Sequence, residues 1–391
     1  MMRWLQLPGV SLLVILAASG CKKVASEEVK AQNYVQVVPF VGAGGTSGGF
    51  LDGTGEKVLF QNPNNMVMDA SGNIYLTDEF NNRIRKITPA GEVTTFAGTG
   101  DGGYVDGAGT TAKFGLLEGL TIDASGNLYA SDYANSVIRK ITPAGIVSTY
   151  AGSGQNGLID GPVATAQFAN PSGLAIDKSG NLFVADNNNN VVRKISADGI
   201  VSTYAGTPRT VNYQPNRYNG PASSAVFGPA LTGLAVDLSG NVYVADQIRN
   251  YIWKITPNGN ASTWVGDGQQ VFNGNITFND GFGPAAEICT PAALSYDAAS
   301  GNLYLADYGN NRIRKITPDS YVSTIAGNGV KGSVNGSVAS SQASLPSAVV
   351  ADATGNVYFS EYNKIRKIET VNISNKPSNS WNNPQSWGNP R

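Results

Sequence analysis

One phrase governs what this chain can fold into. The stretch GLAIDKSGNLFVADNNNNVVRKI, residues 173–195, recurs with small edits at five further places. Aligned on the Gly-Asn step, the copies fall on Gly72, Gly126, Gly180, Gly240, Gly301 and Gly355, so they are 54, 54, 60, 61 and 54 residues apart. That period is long for a solenoid unit and suits a propeller blade carrying loops. Each copy reads as four short strands. In the third they are GLAID, NLFVAD, VVRKI and IVSTYAG, separated by KSGN, NNNN and SADG. β-Branched and aromatic residues alternating between Gly, Asn and Asp clusters favour strand over helix. A lone four-stranded sheet cannot bury both faces, so the units must stack, and a ring leaves no terminal unit exposed. The expectation is an all-β, six-bladed propeller of four-stranded blades.

The ring has a means of closing. YVQVVPFVGAGG, residues 34–45, precedes the first inner strand and aligns with the fourth-strand segment EVTTFAGTG at 92–100. After the last third strand, KIRKI at 364–368, the usual turn and fourth strand are missing. The N-terminal strand is therefore expected to complete the sixth blade. The propeller spans 34–370, and an Asn/Pro/Ser-rich tail, 371–391, follows it.

NPSGLAIDKSGNLFVADNNNNVVRKI, residues 170–195, looks like the NHL repeat of six-bladed β-propellers, and the resemblance extends over about 34–370. The upstream GSGQNGLIDGPVATAQF, 152–168, resembles the long form of that repeat in secreted bacterial proteins. The resemblance implies the fold. It leaves function open, because the family holds binding modules, RNA-binding domains and enzymes.

The first residues read as an export signal. Arg3 opens a positive n-region, Val10–Ala18 is an apolar stretch too short to span as a mature helix, and small residues precede Cys21. Ala18-Ser19-Gly20-Cys21 resembles a bacterial lipobox, with Ala at the first position where Leu is usual. The resemblance implies a lipoprotein signal peptide at 1–20, acylation of Cys21 and a lipidated polar tether at 21–33. Lys22 stands where an aspartate often retains lipoproteins in the inner membrane, so the outer membrane is implied. With Cys21 acylated, Cys289 has no disulfide partner, and its apolar setting reads as core.

Composition removes some functions. There is no histidine, hence neither the commonest general base nor the commonest metal ligand. Net charge is −1 with no basic stripe, which argues against a nucleic-acid partner.

Residues present in every copy serve the blade. Asp69, Asp123, Asp177, Asp237, Asp297 and Asp352 end the inner strands, positioned to accept backbone N–H groups across a hairpin turn. Asp78, Asp132, Asp186, Asp246, Asp307 and Glu361 end the second strands. The Arg-Lys pairs of the third strands point to opposite faces and suit ion pairing within and between blades. Trp253 takes the arginine's place in the fourth copy.

Selective binding should come from residues that break the repeat. After the second-strand acid, three turns carry Tyr133, Tyr308 and Tyr362, where the others have Glu79, Asn187 and Gln247. The loops leading into blades four and five are lengthened and add Tyr213, Arg217, Tyr218, Phe272 and Phe278. Aromatic rings with Asn and Gln around a mouth suit a glycan or peptide. The same loops could equally pack on themselves. At the axis, Glu118 is the sole acid at the start of an inner strand; its counterparts are Asn64, Ser172, Thr232, Ala292 and Ser347.

Two classes of function follow. The first is a lipid-anchored binding or scaffold propeller that recognises a glycan, peptide or protein partner through its loop face and needs no cofactor. The second is a metal-assisted propeller enzyme of lactonase, lyase or hydrolase type. Similarity to lactonase-like propellers would place a divalent cation such as Ca²⁺ on Glu118 and Asn64, without a third axial carboxylate. The absence of histidine favours the first, since NHL-like lyases depend on that residue.

Overall fold

The computed structural model describes residues 33–42, 48–208, 217–268 and 278–372. They form six antiparallel sheets arranged as the blades of a β-propeller. In blade one the strands run, from the axis outward, Pro63–Met68, Ile74–Asp78, Arg83–Ile87 and Glu92–Ala97. These are the four expected strands. A fifth is added outside them: Gly53–Thr54 pairs antiparallel with Val93 and Glu92. Every blade has this short outermost strand, so each sheet has five strands where the sequence suggested four. A two- or three-residue strand has no alternation to read, and only its Asp-Gly or Asn-Gly start marks it.

The sixth blade is built from both ends of the chain. Asn33–Val41 lies between Gly336–Ser337 and Lys364–Asn372, in the fourth-strand place. The third strand runs on to Asn372, two residues past the expected boundary at 370. Gln36 Nε2 donates to Glu369 Oε1 at 3.0 Å across this seam.

Why the blades stack is visible in the second strands. In all six, every residue is buried, because a neighbouring blade covers each face. The hydrophobic core is accordingly a set of layers between blades. One layer joins Phe183, Ala185 and Val192 of blade three to Phe227, Leu231 and Trp253 of blade four. Another joins Tyr358 and Ile365 of blade six to Phe60 and Leu76 of blade one, and so closes the ring.

Hydroxyl groups latch the inner strands from blade to blade. Thr77 donates to the Glu118 carbonyl, Ser131 to Ser172, Thr232 to Pro291, and Ser347 to Pro63. The inner strands approach closely near one end of the axis. A Cβ on Gly119 would lie 2.1 Å from the Ser172 carbonyl oxygen, and one on Gly173 2.0 Å from that of Thr232. Glycine is needed there for proximity.

Candidate functional site

The recurrent charges are consumed inside the blades. Asp69 Oδ1 accepts the N–H groups of Ser71 and Asn73 at 2.9 Å, and Oδ2 accepts the Asn73 side-chain amide at 2.8 Å. Burial raises that carboxyl, but the bonds from Asn73 and Ser71 outweigh it and hold the pKa below its usual value. Fully buried Arg139 bridges Asp132, also fully buried, at 2.9 Å and Asp106 of the leading loop at 2.7 Å. Its guanidinium also donates to the carbonyls of Lys113 and Val105 and stacks over Phe114. Arg85, Arg193 and Arg314 repeat this arrangement. These ion pairs lie within blades. The adjacent lysines take another role: Lys86, Lys140, Lys254 and Lys367 ride over tyrosine rings.

Blade four confirms the rule by exception. Trp253 Nε1 donates to Asp246 Oδ2 at 3.1 Å and its ring packs edge-on against Phe227, replacing both the bond and the stack of an arginine. The leading-loop acid is gone as well, with Asn219 in its place.

A different set of residues opens the axis. Where the inner strands begin, a polar funnel of about 300 Å³ is lined by Asn62, Asn64, Glu118, Asn187, Thr232, Gln247 and Tyr308, among others. The opposite end of the channel is a cavity of about 240 Å³ bordered by Met68, Ile122, Ile176, Val236 and Tyr296, among others.

Local structure explains which turn residues reach the funnel. In blade one, Asp78 leads into a 3₁₀ turn, Glu79–Asn81, and the Asn81 amide donates back to Asp78 Oδ2 at 2.9 Å. Asn82 then adopts a left-handed conformation, and the third strand starts at Arg83. The same clamp joins Asp186 to Asn189 and Asp307 to Asn310. It fixes the residue after the acid at the mouth, as seen for Asn187 and Tyr308. Blade six lacks two turn residues: Glu361 pairs directly with Lys364. Tyr362 therefore sits at φ 45°, 40% exposed, with the Lys331 ammonium 5.4 Å from its ring centroid. It does not line the funnel.

The other sequence candidates divide in the same way. Asn64, Glu118 and Tyr308 come together in the funnel. Tyr133 stands beside them; burial and then the charges of Glu118 and Glu79 push its phenol up. Tyr218 is elsewhere, its ring 6.0 Å from Trp253 and its hydroxyl donating to the Pro221 carbonyl at 2.7 Å. Arg217 donates to the carbonyls of Gly266 and Pro284, tying blade four to blade five. Phe278 lies under the Arg312 guanidinium at 3.5 Å, as Phe50 lies under Arg83 at 3.8 Å in blade one, so it belongs to the repeat. Tyr213, Phe272 and Cys21 lie outside the described residues. The lining residues Asn187, Gln247 and Thr232, and Glu79 acting on Glu118, were not among the sequence candidates, which favour aromatic rings. Their signal was positional: each occupies a site where the repeat varies.

Glu118 dominates the electrostatics. Burial, and secondarily the charge of Glu79, push its carboxyl up to about 8. Glu79 is itself raised by burial, against hydrogen bonds from Asn64 and Asn62, whose amides both reach its Oε2 at 2.9 and 2.7 Å. As a metal centre the set is thin. It offers two carboxylates and several amides, two of which, Asn62 and Asn64, already donate to Glu79, and no group of three or more His, Cys, Asp or Glu occurs among the described residues. A hard cation takes six to eight oxygens. Cys289 is buried, and burial raises its thiol, as befits a core residue.

Comparison with known proteins agrees with the fold. Residues 168–195 match the NHL repeat. The chain is 42% identical over 91 residues to the chloroplastic protein Suppressor of Quenching 1 of Arabidopsis thaliana, covering 23% of this chain and 9% of that protein. It is 30% identical over 282 residues to human Teneurin-4, covering 63% of this chain and 10% of the teneurin. The chain thus spans about a tenth of the length of these relatives. Among solved structures, an auxiliary nutrient binding protein from Bacteroides thetaiotaomicron superposes with a TM-score of 0.64 at 17% identity, over 88% of this chain and 79% of the other.

Proposed function

We propose that this chain is a binding propeller that takes a polar ligand, a glycan or a peptide segment, into the funnel at the turn face. One observation carries the reading. The residues that depart from the repeat at the inner-strand starts and at the second turns are largely those that line the cavity, whereas the repeated acids and arginines satisfy one another within blades. A site of this size with amides, a tyrosine and a single acid suits a hydrogen-bonding solute. The likeness to teneurins, and the fold shared with a Bacteroides auxiliary nutrient binding protein, are in keeping with a binding role. Export and acylation at Cys21, with the outer membrane as destination, complete the proposal on the strength of the residue 1–22 pattern. The donor set at Glu118 and Asn64 gives no basis for deriving a metal-assisted reaction.

The test is a screen of oligosaccharides and short peptides by isothermal titration, repeated with Tyr308→Ala and Gln247→Ala. Hits should weaken by about tenfold in each variant, the loss of roughly 1.4 kcal/mol that one stacking or hydrogen-bonding contact supplies. Unchanged affinity in both variants would remove the funnel as the site.

A further inference from the structure

We infer that the ligand selected by the funnel carries an ammonium group, with the Glu118 carboxylate as its counter-charge. The inference rests on the funnel being the binding site. Glu118 is the one charged residue among those lining the cavity. Its carboxylate accepts no hydrogen bond from the described residues; only its backbone carbonyl is engaged, by Thr77. The five equivalent positions are Asn64, Ser172, Thr232, Ala292 and Ser347, all neutral, so blade construction does not call for an acid here.

Nor do the described residues supply a cation to answer it. The repeat arginines of blades one and two, Arg85 and Arg139, are committed to Asp78 and Asp52 and to Asp132 and Asp106, while Lys86 and Lys140 lie over Tyr75 and Tyr129. The groups that face Glu118 are Glu79 from the second turn of blade one, Tyr133 from that of blade two and Tyr308 across the mouth. None is positive. A half-buried carboxylate without a partner is disfavoured as the ion, and an incoming ammonium stabilises the ionised form. An ammonium brings three donors, and Asn64, Asn187, Gln247 and Tyr308 line the same cavity with oxygen acceptors.

Binding is then coupled to a proton. The carboxyl, raised to about 8, is largely protonated at neutral pH, and a docking cation must displace that proton. Affinity should therefore rise with pH toward 8, with proton uptake by the buffer falling in parallel.

Three matched pairs separate the possible sources of an amine: putrescine against 1,4-butanediol, glucosamine against glucose, and trialanine against N-acetyl-trialanine. Binding is followed by NMR shifts of the Gly119 amide and Gln247 side chain, and by calorimetry in two buffers of different ionisation enthalpy. At least one charged member should bind about tenfold more tightly than its neutral mate and release close to one proton at pH 6.5. Glu118→Gln should abolish both the preference and the release, with the melting curve showing a folded protein. If neutral members bind equally well and Glu118→Gln changes nothing, the ammonium assignment falls while the funnel stands as a site. If none of the six, and no ligand from the wider screen, shifts either reporter, both are overturned.

Discussion

The acids of this protein divide by what answers them. Those closing the inner hairpins are answered by backbone N–H groups, and those ending the second strands by a buried guanidinium. Removing one partner of such a buried pair costs roughly 3–5 kcal/mol, whereas a complete replacement can be neutral. Blade four shows a replacement that works, since the loss of arginine there accompanies the loss of the leading-loop acid. Glu118 is answered by no described side chain, and this has a signature in stability. Its folded pKa of about 8 exceeds the usual 4.5, so the folded state favours the protonated form. The contribution is fully present below 4.5 and is lost as pH rises through 8. At about 1.4 kcal/mol per unit, the ceiling of the effect is on the order of 5 kcal/mol. Glu118→Gln, which cannot ionise, should gain stability over wild type progressively between pH 5 and pH 9. A difference in chemical denaturation that stays constant across that range would show that the carboxylate ionises without penalty.

At the scale of elements, the four main strands of each blade were legible because β-branched alternation and Gly-Asn punctuation repeat in register. The missing fourth strand after residue 368 disclosed where the N-terminal strand belongs. The turns were harder. Tyr362 looked equivalent to Tyr308, yet its turn is two residues shorter and directs it away from the axis. Tyr218 looked like a loop aromatic, yet its place beside Trp253 depends on a packing partner in another strand. Contacts of this kind depend on the fold and leave no local pattern. The strand Asn33–Val41 yields the clearest prediction. Its removal would expose the edges of both Gly336–Ser337 and Lys364–Asn372 and take Val37 and Val41, which are 1% and 3% exposed, out of the core layers they fill. Burying two valines contributes roughly 3–6 kcal/mol before any hydrogen bond is counted. Deleting residues 34–41 should therefore lower the melting temperature by 10 °C or more. An unchanged transition would mean that the ring does not need this seam.

The whole molecule has two unlike faces, and both ends of the described chain lie on one of them. Gly42, ending the N-terminal strand, packs against Asn363 and Lys364 at the turn face that holds the funnel. The strand runs antiparallel to Lys364–Asn372, so Tyr34 and Val371 lie together at the opposite face, on the side of the Asp352–Asn356 hairpin turn. If Cys21 carries the proposed lipid, the ring is tethered through the face opposite its binding site. The twelve residues from 22 to 33 reach at most about 40 Å when fully extended, so the ring can tilt but is biased to present the funnel outward. Fatty-acid-analogue labelling of the wild type and not of Cys21→Ser establishes the anchor. Orientation can then be read in the Cys289→Ala background, with a fluorophore placed by Lys178→Cys in the hairpin turn or by Asn188→Cys in the funnel-face turn of the same blade. Energy transfer to a dye in the bilayer should be stronger from position 178. Equal transfer from the two positions would mean that the tether imposes no orientation. Stronger transfer from 188 would turn the funnel toward the lipid and point to a ligand at the membrane surface.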